Sequence, residues 1–152
     1  MEIPAAIGKN GLIPADQKRE GDGKTPRGRF PMRALFWRPD RVSLPRHHFS
    51  PQAITKEMGW CDDPAAPQYN SLVKLPFAAS HEDMWRQDHA YDVIIPLGYN
   101  DDPAIPHRGS AIFFHILHDG RHVTEGCIAI SAEHMLALIP LISPATSVEI
   151  NP

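Results

Sequence analysis

The chain has only two cysteines in 152 residues, too few for a disulfide framework, although one Cys61–Cys127 bridge is conceivable. No apolar run approaches the roughly 20 residues of a membrane span. The opening "MEIPAAIGKNG" has neither a basic n-region nor an apolar h-region, so it does not read as a signal peptide. Basic runs and basic amphipathic helices are missing, and the net charge is −3, which removes the electrostatic reason to expect nucleic acid. Sustained internal periodicity is missing too: "CDDPAAP" (61–67) and "NDDPAIP" (100–106) echo each other only as Asp-Asp-Pro turns.

What the sequence has in excess is punctuation. Sixteen prolines and ten glycines cut the chain into short pieces, which disfavours long helices and favours short strands joined by turns. At this length one domain, residues 1–152, can bury a single core. "RFPMRALFWRP" (29–39) sets Phe30, Met32, Ala34 and Phe36 on alternate positions, as a half-buried strand does. "YDVIIPLGYN" (91–100) and "SAIFFHIL" (110–117) are dense in β-branched and aromatic residues and bounded by turn formers. "SLVKLPF" (71–77) is a weaker strand, "SHEDMW" (80–85) suggests a helical turn, and "CIAI" (127–130) and "TSVEI" (146–150) are strand-like. "SAEHMLALIP" (131–140) predicts a helix with Ser131 as N-cap, Glu133 in the first turn and Pro140 as the stop. The expected fold class is mostly β with one main helix near 131–140.

Three patterns could carry chemistry. "GDGKT" (21–25) ends like a phosphate-binding loop, but Lys18 stands where the motif needs its first glycine, and Pro26 and Gly28 follow at once. Nucleotide binding is rejected. His115, His118, His122 and Cys127 have ligand-like spacings. On a strand, however, His115 shares a face with Ala111, Phe113 and Leu117, while His118 shares the other with Ile112, Phe114 and Ile116. A structural zinc would also prefer paired cysteine knuckles. The third pattern is a nucleophile with its base: His115 near a strand end, then Cys127 after an eleven-residue connection containing Gly120 and Gly126. Gly126, without a Cβ, lets a substrate carbonyl approach backbone N–H groups near Cys127. A neighbouring imidazolium would lower the thiol pKa. A buried core thiol fits the same spacing, with Ile128 and Ile130 beside it. Cys61 is expected as a free or buried thiol beside Trp60.

Three segments in order bear on that choice. "KREGDGKTPRGRFPM" (18–32), "SAIFFH" (110–115) and "TEGCIAI" (124–130) resemble the YkuD-type L,D-transpeptidase catalytic domain. Thr25-Pro26-Arg27-Gly28-Arg29-Phe30 matches its Thr-Pro-x-Gly-x-Phe segment, and Thr124-Glu125-Gly126-Cys127 its nucleophile motif. "GWCDDP" and "YDVIIPLGYNDDP" look like the small stand-alone members. The resemblance implies a β-sandwich or barrel of short mixed strands, with Cys127 as the acylated nucleophile and His115 as base. It also implies Gly126, Thr124 and Glu125 at the oxyanion and substrate-binding segment, and a third, orienting group that is often a backbone carbonyl. The implied reaction is L,D-transpeptidation on peptidoglycan stem peptides, through a Cys127 thioester with release of D-alanine, at the periplasm or cell envelope. It requires no cofactor and no metal. Lys24, Arg27, Arg29 and Arg121 are candidates to meet substrate carboxylates.

Three positions and one connection length depart from the family pattern. Ile116 follows the histidine where glycine is common, Glu125 stands where histidine is common, and Ala129 where arginine is common. The His-to-Cys connection is also shorter than in many members. The chain opens almost at the segment that "AAIGKNG" matches, without the strand or two that commonly precede it. Two alternatives therefore stand beside transpeptidation: an L,D-carboxypeptidase, with water as acceptor, and a catalytically impaired wall-binding module.

Overall fold

A computed structural model describes residues 2–118 and 120–152. Eleven short strands and one α-helix occur among them. The strands form three sheets. The largest has five strands in the order β10-β9-β8-β3-β4: Ile128–Ile130, Phe113–Ile116, Val93–Pro96, Phe36–Trp37 and Gln52–Ala53. A second joins β1 (Leu12–Pro14), β2 (Thr25–Pro31) and β11 (Ser147–Ile150). The third is β6-β5-β7: Leu72–Lys74, Met58–Cys61 and His81–Asp83.

The middle of the five-stranded sheet is buried on both faces, as its continuous apolar composition demands. One face carries Val93, Ile95, Phe114, Ile116, Ile128 and Ile130 against Met135 and Ile139. The opposite face carries Ile94 and Phe113 with Met84, Tyr91 and Ile54. The predicted alternation is thus realised from Ala111 to Ile116, although the strand itself is shorter than 110–117 and covers only Phe113–Ile116.

The helix α1 spans Ala132–Leu138. Ser131 caps it, its hydroxyl accepting from the His134 N–H at 3.2 Å, and Pro140 falls in a following 3-10 turn, Ile139–Leu141. No helix among the described residues is long and apolar enough to cross a membrane.

Two local expectations are corrected. The stretch 29–39 is not one strand: β2 ends at Pro31, Met32 bridges to Leu97, and β3 starts at Phe36 in another sheet. Proline has no N–H with which to continue a ladder, and the chain turns there from one sheet into the next. Phe30 and Met32 consequently enter one cluster, and Phe36 the other. The stretch 80–85 is not a helical turn either. His81–Asp83 pairs antiparallel with β5, setting Glu82 opposite Trp60 and burying Met84 completely. A single helical turn is marginal by itself, and the cross-strand pairing outweighs it.

Candidate active site

The site is built on the β9–β10 edge of the large sheet. These strands are parallel, with Phe114 opposite Ile128 and His115 opposite Ala129. Side chains in register, or two apart on one strand, share a face. Cys127, directly before β10, therefore lies on the same face as Phe113 and His115. The local hydrogen bonds agree: the Phe113 N–H donates to Cys127 Sγ at 3.4 Å, and the thiol donates to the Ala111 carbonyl at 3.2 Å. Ala111 holds φ at +53°, a left-handed conformation unusual for a residue with a Cβ.

His115 is buried, and its Nδ1 lies 2.8 Å from the Ile116 carbonyl. A carbonyl only accepts, so Nδ1 carries the proton and Nε2 keeps its lone pair. The imidazole packs edge-on to the Tyr91 ring, with centroids 5.4 Å apart. His115 and Cys127 line one cavity of about 100 Å³, which Tyr91, Glu82 and Arg86 also line.

The electrostatics differ from the thiolate–imidazolium expectation. Burial pushes the Cys127 thiol up to about 12, helped by the nearby Glu82 carboxyl and opposed by the Phe113 N–H, Lys18 and Arg86. Burial also lowers His115 below its ordinary value, against the Ile116 and Ala90 carbonyls, which favour its charged form. Desolvation penalises both ions, so the resting pair is neutral thiol beside neutral imidazole.

The loop carrying Cys127 is held from three directions. The N-terminal segment runs alongside it: Ala6 exchanges backbone hydrogen bonds with Ala129 at 2.8 and 3.0 Å, and Thr124 bonds to Ile7 and Lys9 at 2.9 and 2.8 Å. Within the loop, the Thr124 hydroxyl donates to the Cys127 carbonyl at 2.7 Å and accepts from the Gly126 N–H at 3.1 Å. From β2, the fully buried Thr25 hydroxyl donates to the Gly126 carbonyl at 2.8 Å, with the Cys127 carbonyl at 3.3 Å, and accepts from the Gly8 N–H at 2.8 Å. Gly126 has φ +142°, and a Cβ there would sit 3.0 Å from the Lys24 carbonyl, so the glycine serves both conformation and close approach.

The expected site residues thus sort themselves. His115 and Cys127 come together, with Thr124 and Gly126 shaping the loop. The Gly126 N–H is occupied by Thr124, whereas the Cys127 N–H carries no hydrogen bond to another described residue. Glu125 stands on the rim with its carboxylate turned to Lys9 at 2.8 Å. Arg121 lines the cavity with His115. Lys24, Arg27 and Arg29 line neither this cavity nor a second one that Cys127 also lines; Arg27 and Arg29 lie along β2 opposite Pro14 and Glu149.

His118 corrects the facing argument. The strand ends at Ile116, so alternation stops there, and His118 lines the same cavity as His115, its Nε2 3.6 Å from the Asp88 carboxylate. His122 lines a different cavity, beside Arg41 and Ser131. Both cysteines are free thiols, and Cys61 is completely buried next to Trp60. Of the echoed loops, Asp62 lines the second cavity at Cys127, while Asp101 pairs with Arg33.

Sequence reasoning passed over Thr25 as a side chain with a task, and over Glu82, Arg86 and Tyr91 altogether. Thr25 had a signal, since it opens the Thr-Pro-x-Gly segment. Glu82 and Arg86 come from a strand and loop with no motif around them, and Tyr91 opens the family-like segment 91–103 without a role read for its side chain.

The model of the L,D-transpeptidase catalytic domain family, YkuD, matches residues 1–150 of the 152. No curated protein and no solved structure gives a significant match. A family model that spans nearly the whole chain settles the kinship that the ordered motifs suggested: this protein belongs to the YkuD family of L,D-transpeptidase catalytic domains.

Proposed function

We propose that residues 1–152 act as one cysteine acyltransferase domain on peptidoglycan stem peptides, with Cys127 as nucleophile and His115 as base. The observation that carries the reading is the shared face and cavity of the two side chains, with the Ile116 carbonyl fixing His115 in its Nδ1–H tautomer. A base that keeps Nε2 unprotonated can take the thiol proton as sulfur attacks. Because the resting thiol is neutral, proton transfer accompanies attack rather than preceding it.

In acylation, Sγ bonds to the carbonyl carbon that follows the L-centre of the stem diaminopimelate, and its proton passes to His115 Nε2. The Cys127 N–H faces the developing oxyanion, and Gly126 leaves room for the approach. Collapse breaks the C–N bond, and His115 returns the proton to the departing D-alanine amine. A thioester remains on Cys127, and an amine from another stem resolves it. The Arg121 guanidinium on the rim meets a substrate carboxylate. The site of action that goes with this substrate is the cell envelope.

Incubation of the protein with a purified tetrapeptide muropeptide tests the reading. Cross-linked dimers, with an acyl adduct on Cys127 in the intact mass, are the expected outcome. Trimmed monomers would instead make it an L,D-carboxypeptidase, and binding without turnover a wall-binding module. Unchanged turnover by Cys127→Ala would remove the nucleophile assignment.

A further inference from the structure

Cys127 stands between two cavities. One is shared with His115; the other, about 180 Å³, lies towards Ser110, Lys18 and Asp62. Glu82 lines both. It sits on β7 opposite Trp60, and its Oε2 accepts from the Tyr91 hydroxyl at 2.9 Å. Tyr91 in turn stands against His115 on one side and under the Arg86 guanidinium, 4.8 Å from its ring, on another.

This carboxyl has no task in acylation. An anion beside the sulfur makes the thiolate harder to form, and Glu82 is one of the groups that raise the Cys127 thiol. The balance of the second half-reaction supplies a task. An amine acceptor arrives as an ammonium and ends as an amide, so its nitrogen sheds two protons. One restores the Cys127 thiol through His115. The other must leave before the nitrogen lone pair is available to attack, and it needs a separate acceptor.

We propose that Glu82 receives the acceptor's ammonium and takes its first proton, so that the face of the cleft bearing Glu82 and Tyr91 is the acceptor side. Resting on the acyl-transfer reading above, the step runs in order. The Glu82 carboxylate accepts one N–H proton, and the nitrogen bonds to the thioester carbon. The C–S bond then breaks, and the leaving sulfur takes the second proton by way of His115. Glu82 afterwards releases its proton to solvent. Burial holds this carboxyl above the usual carboxylate range, with Asp62 and Glu20 acting in the same direction and Tyr91 and Arg86 against it. That shift moves it towards the working pH, where a proton acceptor is most effective.

The test compares two acceptors for the Cys127 acyl-enzyme formed from the tetrapeptide. One is a second stem peptide, an ammonium at neutral pH; the other is hydroxylamine, which is uncharged there and needs no prior deprotonation. The ratio of the two transfer rates cancels effects on folding and on acylation. In Glu82→Gln the ratio should fall about 100-fold, the size of a general-base contribution. In Glu82→Ala, added formate should raise it again in proportion to concentration. An unchanged ratio in Glu82→Gln, or no formate response in Glu82→Ala, overturns the role of Glu82 alone. A wild-type protein that forms no acyl-enzyme overturns the acyl-transfer reading, and this role with it.

Discussion

The hydroxyl of Thr25 donates to the carbonyl of Gly126 at 2.8 Å, joining residues 101 positions apart in the chain. The same oxygen accepts from the Gly8 N–H, so one buried atom ties the N-terminal segment, β2 and the Cys127 loop together. The loop is thereby held by the surrounding framework as well as by the Thr124 hydroxyl within it.

Thr25→Val keeps the shape and removes those bonds, leaving a buried donor and acceptor unmet. We expect a loss of about 2 kcal/mol in unfolding free energy, read from denaturant midpoints. Acylation of Cys127 should slow as well, while Thr25→Ser retains most of both. An unchanged midpoint in the valine variant would contradict the assignment.

Gly126→Ala meets two obstacles, a φ of +142° and the Lys24 carbonyl 3.0 Å from the new Cβ. The expected cost is about 1–3 kcal/mol in stability. Displacement of Cys127 should slow acylation, followed by intact mass. A variant as stable and as active as wild type would show that the loop accommodates a side chain there.

The pH dependence follows from two opposite shifts. The Cys127 thiol rises from an ordinary 9.0 to about 12, so folding favours the protonated form. Its stabilising contribution is complete below about 9 and is lost as pH climbs towards 12. His115 is shifted below 6.5, so folding favours neutral imidazole. Its contribution is present above 6.5 and is lost as pH falls through the lower folded value. Denaturation from pH 5 to 11 should therefore show wild type losing stability at both ends. The acid loss should shrink in His115→Gln, and the alkaline loss in Cys127→Ser. Alkylation of the free protein by iodoacetamide should likewise keep rising above pH 9; a plateau near neutrality would contradict the neutral thiol.

Arg121 lines the cavity with His115, while Arg27 and Arg29 do not. Arg121→Gln should raise KM for a carboxylate-bearing stem peptide about 2- to 5-fold, the scale of one exposed ion pair, and the effect should fade at high salt. Arg27→Gln and Arg29→Gln should leave KM unchanged. Equal effects from all three would point to diffuse attraction instead.

Much of this protein follows from local chemistry. The alternation in 110–117, the Ser131 cap and the β-branched density of 91–100 each specify an element through neighbours a few residues away. The Thr25, His115 and Cys127 motifs specify a family for the same reason, since order and spacing are linear properties. Long-range partners decided the rest. Proline at 31 divides an apparently continuous strand between two sheets, and pairing with β5 makes a strand of 81–83. His118 turns towards the site because its strand stops two residues earlier. Protonation was beyond linear reading as well: spacing places a histidine near a thiol, but only desolvation of both groups in the folded cleft favours the neutral pair. Glu82, Arg86 and Tyr91 join Cys127 in one cavity through folding alone, because the strand and loop that carry them lie far from it in the chain.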